Sequence, residues 1–175
     1  MSNYNKIQEL FLENPDEEFH VRKVAKTLNL SPSTATKYLD SLEREELIMK
    51  KEEYNHNIYR ANIGSENYKH AKTFFNIEKL NESGLLEFLD REYNNPEAII
   101  LYGSYALGED GSKSDIDIAI ITTLKKNIEL NNFENKLKKK IQILELTNKE
   151  VHKNKHIGNK LINGIILRGY WELLK

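Results

Sequence analysis

Apolar residues in the first third of the chain repeat at helical spacing in three successive stretches. The first ends before Asn14-Pro15 and the second at Asn29-Leu30, because such residues interrupt helices. The third begins at Ser31-Pro32, where the serine hydroxyl caps a free amide and proline fits the first helical position. The predicted buried faces comprise Ile7, Leu10 and Phe11, then Val21, Val24, Ala25 and Leu28, then Ala35, Tyr38, Leu39 and Leu42.

Two stretches of alternating polarity follow the third helix and predict a β-hairpin. The alternation runs through residues 49–51 and again through residues 58–61, and residues 54–57 between them, Tyr-Asn-His-Asn, suit a turn. A short strand or extended entry is predicted over residues 19–21. We therefore expect residues 1–63 to form one small module.

The second half of the chain combines helical and β-type patterns. A connecting helix is predicted within residues 64–83, with apolar positions at Tyr68, Ala71, Phe74, Phe75 and Ile77. A second module is expected over residues 84–175. The continuous apolar run at residues 98–101 is typical of a buried central strand. The resulting fold class is α+β, with a small mixed β-sheet flanked by helices. Its predicted elements are a helix around Leu85, Leu86 and Leu89, an exposed helix within 131–140, a strand at 140–146, a helix over 149–161 and a last strand at 164–167.

Composition limits the classes of function. The chain has 175 residues, a net charge of −1 and no cysteine, so disulfides, thiolate catalysis and Cys-zinc sites are excluded, and a cytoplasmic location is expected. No run of 18 apolar residues is present, and we expect no membrane association. The near-neutral charge means that any contact with DNA must come from a local basic patch.

A glycine–serine pair stands where the first buried strand ends. Gly103-Ser104 is expected to begin a sharp turn into a short helical stretch. Glycine lets the backbone approach a ligand closely, the helix start presents free amides, and Ser104 adds a hydroxyl donor. This combination suits an anion, phosphate in particular, although the pair alone fits an ordinary tight turn.

Two aspartates open the next apolar strand. Because side chains alternate along a strand, Asp115 and Asp117 are expected on the same face, about 6–7 Å apart. Paired carboxylates beside apolar residues are costly unless a cation neutralises them. Mg²⁺ does so with one or two carboxylates, water and substrate phosphates. The pattern favours a metal at the aspartates and a phosphate at Gly103-Ser104, with a nucleotide between them.

Residues 98–122, AIILYGSYALGEDGSKSDIDIAIIT, resemble the signature of the nucleotidyltransferase superfamily, in which Gly-Ser precedes an Asp-hydrophobic-Asp strand. The resemblance implies catalytic and metal-binding roles for Asp115 and Asp117, and phosphate binding at Gly103 and Ser104. It also implies Mg²⁺ or Mn²⁺ with a nucleoside triphosphate as the cofactor. The superfamily's minimal members include antitoxin-like proteins, so neutralisation of a small helical, toxin-like partner is one alternative function.

Active members of the superfamily usually supply a third carboxylate from the following strand. Here the residue framed by two isoleucines is Gln142, whose amide carries no charge and cannot act as a base. Glu145 lies three residues further on, and alternation directs it to the opposite face. The sequence leaves open a domain that binds metal–nucleotide with weak or no catalysis, and an active enzyme that transfers a nucleoside monophosphate to a protein, RNA or small-molecule hydroxyl.

Residues 19–48, FHVRKVAKTLNLSPSTATKYLDSLEREELI, resemble winged helix-turn-helix regulators of bacteria and archaea. The ending at residues 163–167, NGIIL, is similar to that of archaeal proteins that join such a module to a nucleotidyltransferase domain. The resemblance implies a homodimeric regulator that binds double-stranded DNA through the third helix and the wing. The expected contacts are Ser33, Thr34, Thr36 and Lys37 in the helix, and Lys50, Lys51 and Arg60 in the wing.

Overall fold

The computed structural model describes residues 2–53 and 56–172. It divides into two compact units, Met1–Phe75 and Asn76–Lys175. The sequence prediction of a turn at residues 54–57 falls partly on Tyr54 and Asn55, which lie outside the described residues.

Helices α1 (Asn3–Glu13), α2 (Val21–Leu28) and α3 (Pro32–Arg44) form the helical part of the first unit. As predicted, Ser31 caps α3, since its hydroxyl accepts a hydrogen bond from the Thr34 amide at 3.1 Å. Asn29 ends α2 in the left-handed conformation, with φ of 53°. The predicted helical breaks therefore correspond to observed caps.

Strands β1 (Glu18–His20), β2 (Ile48–Glu53) and β3 (His56–Ala61) form an antiparallel sheet in the order β1-β3-β2. The predicted short strand and hairpin strands are thus present. Tyr59 of β3 is fully buried and lies opposite Phe19 and Lys50 in the strand register. The core of this unit is formed by Ile7, Phe11, Phe19, Val24, Ala25, Ala35, Leu39, Leu42, Leu47, Ile48 and Tyr59.

Helix α4 (Glu66–Ser83) contributes residues to both units. In the first unit, Tyr68 and Phe75 are buried together with Leu12. Phe74, which also belongs to the predicted apolar pattern, is instead 75% exposed. The helix ends before Gly84, whose φ of 80° separates it from α5 (Leu85–Glu92).

The second unit is built on a mixed sheet in the order β6-β5-β4-β7. Strands β5 and β6 are parallel, whereas β4 pairs antiparallel with both β5 and β7. A parallel pair requires a crossover connection, and the segment containing α6 supplies it. The strands are β4 (Ala98–Tyr102), β5 (Ile116–Ile121), β6 (Ile141–Leu146) and β7 (Ile165–Gly169), and the helices are α6 (Asn131–Leu137), α7 (Asn148–Lys153) and α8 (Lys155–Ile162).

The two faces of this sheet bury separate apolar clusters. On one face, Ile116, Ile118 and Ile120 of β5 pack with leucines of α5. On the other, Ala119 and Ile121 pack with Val151 of α7 and Leu161 of α8. Asp117 alternates with the second set, so its carboxylate lies on the face that carries α7 and α8.

The helix predicted over residues 149–161 is wrong as a continuous element. It divides into α7 and α8 at Asn154, whose backbone has φ of −112° and ψ of 86°. The Asn154 side chain accepts a hydrogen bond from the Ile157 amide at 3.2 Å, so an asparagine cap starts a new helix here. His152 and Lys153 therefore end α7, whereas Lys155 and His156 begin α8.

Within residues 2–53 and 56–172, no helix combines the length and the apolar character needed to cross a membrane.

Candidate functional site

The glycine–serine turn and the two aspartates come together at one end of the second unit's sheet. Strand β4 ends at Tyr102, which lies opposite Asp117 in the antiparallel register with β5. Gly103 and Ser104 follow Tyr102 directly, and Asp115 stands immediately before β5. The pairing of two neighbouring strands thus assembles residues that are separated by more than ten positions in the sequence.

Gly103 is required by the position of the Asp117 carboxylate. Its φ of 75° is unfavourable for side-chain-bearing residues, and a Cβ at this position would lie 2.5 Å from Asp117 Oδ2 and 3.4 Å from its Cγ. The sequence interpretation assigned the glycine to close approach by a ligand. The structure adds a reason within the protein, since only glycine leaves room for the aspartate.

The predicted helical stretch after Gly103 is wrong, because a series of turns replaces it. The Leu107 amide donates to the carbonyls of Gly103 at 3.3 Å and Ser104 at 3.2 Å, and the Glu109 amide donates to Ser104 O at 3.0 Å. Gly108 then adopts a φ of 66°. Gly103 and Gly108 both have positive φ, so the segment between them is limited to about one helical turn. Ser104 is half-buried at its start.

Gln142 lies on the same face as the aspartates. In the parallel register it stands opposite Asp117, and its Nε2 donates a hydrogen bond to Asp115 Oδ2 at 2.6 Å. The amide therefore occupies one oxygen of a carboxylate that the sequence analysis assigned to a metal.

Glu145 lies on the opposite face of β6, as strand alternation predicts. Its Oε1 accepts hydrogen bonds from Tyr93 Oη at 2.6 Å and from the Lys126 amide at 2.7 Å. Its register partner in β5 is Ile120, towards the other end of the strand. Glu145 therefore does not supply the third carboxylate in this arrangement.

The electrostatic environment raises the pKa of Asp117 above its ordinary value of 3.8. Burial of the carboxyl group is the main cause, and the nearby Asp115 charge adds to it, whereas Lys160 opposes the shift. Lys160 was missed by the sequence interpretation. No pattern in the sequence indicated it. In the structure a Cβ at Gly164, just after α8, would lie 2.6 Å from Leu101 O, so the chain that follows α8 lies against β4.

The donor set suits a metal ion that arrives with phosphate oxygens. Among residues 2–53 and 56–172, no group of three or more His, Asp or Glu side chains is placed to hold a metal. Mg²⁺ commonly takes one or two protein carboxylates and completes its octahedron with water and substrate phosphates. Asp115 and Asp117 can provide those two ligands, since Asp115 retains a second carboxylate oxygen beside the one bonded to Gln142.

A family match falls within the second unit. Residues 84–168, just under half of the chain, match the family described as "Polymerase beta, Nucleotidyltransferase". Residues 84–168 are a nucleotidyltransferase domain of this family. No curated protein matches the chain.

The second unit also contains buried polar residues that the sequence interpretation missed. Asp110, in the loop before Asp115, is 3% exposed and forms an ion pair with Lys139 at 3.2 Å. Asn76, which is 1% exposed, donates to Asp110 Oδ1 at 2.6 Å. Lys113, in the same loop, is exposed. No pattern in the sequence separated Asp110 from its exposed neighbours.

The candidate DNA-contacting residues of α3 are partly engaged in local hydrogen bonds. Ser33 and Lys37 are exposed, whereas Thr34 and Thr36 are half-buried. The Thr36 hydroxyl donates to Pro32 O at 3.0 Å, and the hydroxyls of Ser33 and Thr34 lie 2.9 and 2.8 Å from that of Ser31. Lys37 is therefore the exposed charged side chain among the four candidate residues of α3.

The candidate residues of the hairpin are all exposed. Arg60 of β3 donates from Nε to Met49 Sδ at 3.0 Å, and Lys51 of β2 is paired with Glu53. The ammonium group of Lys50 lies 6.0 Å from the centroid of the Tyr59 ring. These contacts leave a basic surface on the hairpin, with Glu53 reducing its charge.

Proposed function

We propose that the nucleotidyltransferase domain binds a nucleoside triphosphate together with Mg²⁺ or Mn²⁺ and has weak or no transferase activity. The turn at Gly103 and Ser104 is the proposed contact for the phosphates. Asp115 and Asp117 would hold the metal, whose positive charge would lower the cost of negative charge developing on the phosphate oxygens. The shared face of the two carboxylates supports this arrangement.

The observation that carries the proposal is the hydrogen bond from Gln142 to Asp115. An ionised third carboxylate would add metal affinity or accept a proton from the attacking hydroxyl. The Gln142 amide carries no charge to attract a metal and cannot act as a base at neutral pH, and its Nε2 donates to a carboxylate oxygen of Asp115. Substrate binding needs only two metal-binding carboxylates, whereas efficient transfer also needs a base.

Binding and turnover can be measured in the same experiment. The full chain is incubated with Mn²⁺ and each of the four radiolabelled ribonucleoside triphosphates, and the double variant Asp115→Ala, Asp117→Ala provides the comparison. Filter retention reports binding. Transfer of label to the protein itself, to RNA or to extract components reports catalysis.

The expected result is triphosphate retention that requires the aspartates, with little or no label transfer. Label transfer that disappears in the double variant would establish the alternative function, an active nucleotidyltransferase. Retention that is absent from the wild type, or equal in the double variant, would contradict the nucleotide proposal.

For the first unit, we propose a winged helix-turn-helix that binds double-stranded DNA. Helix α3 is capped at its start and exposes Ser33 and Lys37, and the hairpin β2–β3 exposes Lys50, Lys51 and Arg60. A helix with exposed polar residues followed by a basic hairpin suits major-groove and phosphate contacts, respectively. The whole chain would then act as a cytoplasmic, homodimeric regulator whose DNA affinity responds to nucleotide.

An antitoxin-like role is the alternative for the whole chain. Purification of the tagged full chain from its own cells tests it directly. A homodimer free of other proteins supports the regulator, whereas stoichiometric recovery of a small helical protein supports the antitoxin.

A further inference from the structure

The loop between the Gly103 turn and Asp115 contains a buried carboxylate. Asp110 is 3% exposed, and its side chain is fully buried. Burying a charge is costly unless it is paired and hydrogen-bonded. A loop that merely connected two strands would not need one.

Two polar side chains from other elements of the same unit contact this carboxylate. Asn76 of α4 donates from Nδ2 to Asp110 Oδ1 at 2.6 Å and to Tyr105 O at 2.9 Å. Lys139, which is only 13% exposed at its side chain, places Nζ 3.2 Å from Asp110 Oδ2. Each carboxylate oxygen of Asp110 therefore contacts one of these two side chains.

Lys139 also binds the backbone of the loop. Its Nζ donates to Gly111 O at 2.6 Å and lies 3.3 Å from Ser114 O. Ser114 immediately precedes Asp115, and the next residue, Ile116, donates its amide to Lys140 O at 2.8 Å. Consecutive lysines before β6 therefore fix the backbone on both sides of Asp115.

Stability alone is a weak reason for such a pair. The desolvation of two charges offsets much of their attraction, and buried ion pairs can often be replaced by apolar residues without loss of stability. The position of this pair suggests another role, because its contacts converge on the residues just before a metal-site carboxylate.

We propose that Lys139 and Asp110 are positioning residues, which hold the loop so that Asp115 faces Asp117 and the Gly103 turn. The inference rests on the proposed nucleotide site for its functional meaning. In metal sites, groups that orient the ligands typically account for 10–100-fold in metal affinity. Lys139 acts on Asp115 through its bonds to the loop backbone at Gly111 and Ser114.

Positioning can be separated from stability by two variants of the full chain. Lys139→Met leaves the Asp110 charge without its lysine. The double variant Lys139→Met, Asp110→Asn removes both charges and keeps an oxygen that can accept from Asn76, but it lacks the bonds to Gly111 O and Ser114 O. Lys140→Met is the matched control, because Lys140 pairs with Glu134 at an exposed position.

Three quantities are measured for each variant: the melting temperature, the affinity for Mn²⁺ with ATP by electron paramagnetic resonance, and the NMR signals of the Gln142 side-chain amide. These signals are assigned by their loss in Gln142→Glu. The amide donates to Asp115, so its signals report the position of that carboxylate without any ligand.

Lys139→Met is expected to lower the melting temperature, and the double variant to recover most of the loss. In both variants the affinity for Mn²⁺ with ATP should fall by at least about tenfold, and the Gln142 signals should shift or broaden. Lys140→Met should match the wild type. Recovery of affinity and of the Gln142 signals together with stability in the double variant would overturn the proposal.

The same measurements distinguish a failure of the positioning role from a failure of the proposed nucleotide binding. If wild type fails to bind Mn²⁺ with ATP while the Gln142 signals change in both Lys139 variants, the nucleotide proposal fails and the positioning of Asp115 stands. Unchanged Gln142 signals in both variants would refute the positioning role, whatever the nucleotide affinity.

Discussion

Gln142 donates a hydrogen bond from its Nε2 to Asp115 Oδ2 at 2.6 Å. The bond links β6 to the start of β5 on the face where Asp117 also lies. A neutral donor beside two carboxylates relieves their repulsion without a metal, which a third carboxylate could not do. The bond therefore stabilises the pair of carboxylates from within the protein.

Replacement of Gln142 by glutamate should make the stability of the protein depend on bound metal. In Gln142→Glu, Asp115 loses its donor and faces a like charge, so the free energy of unfolding in chelator should fall by about 1 kcal/mol. Mn²⁺ should restore it and should bind more tightly than to wild type, as followed by thermal denaturation with and without Mn²⁺.

Gln142→Ala is the matched control, because it loses the bond without adding charge. It should be destabilised less than Gln142→Glu in chelator and should gain nothing extra from Mn²⁺. A Gln142→Glu variant that matches wild type in chelator and shows no Mn²⁺-dependent gain would contradict the assignment of this position to the metal site.

Gly103→Ala should be strongly destabilising, because it combines two costs. A side chain at φ of 75° is strained, and its Cβ would lie 2.5 Å from Asp117 Oδ2. Gly84 provides a matched control, since its φ is 80° but an added Cβ would have open space. Gly84→Ala should cost about 1 kcal/mol and Gly103→Ala about 2 kcal/mol or more, measured by urea denaturation.

A double-mutant cycle can show whether Asp117 causes the additional cost of Gly103→Ala over Gly84→Ala. In an Asp117→Ala background the Oδ2 atom is absent, so Gly103→Ala should cost no more than Gly84→Ala. Equal costs of Gly103→Ala in both backgrounds would show that backbone strain alone accounts for the glycine.

The sequence predicted the relative placement of Asp115 and Asp117 better than the contacts that hold them. Strand alternation placed Asp115 and Asp117 on one face of their strand and Glu145 on the face of β6 opposite to Gln142, because a period of two residues is a local property. The cap at Ser31 was likewise predicted from neighbouring residues. Whether two strands bring Gly103 within contact of Asp117 depends on pairing, which no local pattern contains.

The sequence predictions failed where one local pattern is compatible with two different structures. Apolar spacing over residues 149–161 fits one helix, but it also fits two helices that share the same buried face, and Asn154 is compatible with both until its cap is seen. Asp110 resembles any acidic loop residue, since its burial results from Asn76 and Lys139, which are distant in sequence. Helical spacing alone did not separate exposed Phe74 from its buried neighbours.

The raised pKa of Asp117 predicts a specific dependence of stability on pH. The pKa in the folded state lies above the ordinary 3.8 because of burial and the Asp115 charge. Between the two values the folded state binds more protons, so the contribution of Asp117 is fully present below pH 3.8 and is lost as pH rises through the folded-state pKa. Asp117→Asn does not titrate and should therefore be more stable than wild type at neutral pH.

The difference in melting temperature between Asp117→Asn and wild type should shrink as the pH falls towards 3.8. The measurement is made in chelator, so that no metal contributes. Glu129→Gln, at an exposed position outside the site, should show no such difference. A constant difference across the pH range would mean that the substitution acts through packing and not through the charge of Asp117.

The proposed DNA contact makes Lys37 the most informative residue of the first unit, because it is exposed while neighbouring hydroxyls bond within α3. Lys37→Ala should weaken binding to the operator recovered by genomic pull-down by about tenfold. Arg60→Ala should lower the slope of log Kd against log salt concentration by about one. Fluorescence anisotropy between about 50 and 200 mM salt measures both effects. Lys6→Ala, which removes the same charge from α1, should leave affinity unchanged. If Lys6→Ala and Lys37→Ala weaken binding equally, net charge and not helix α3 determines the interaction, and the proposed recognition surface is wrong.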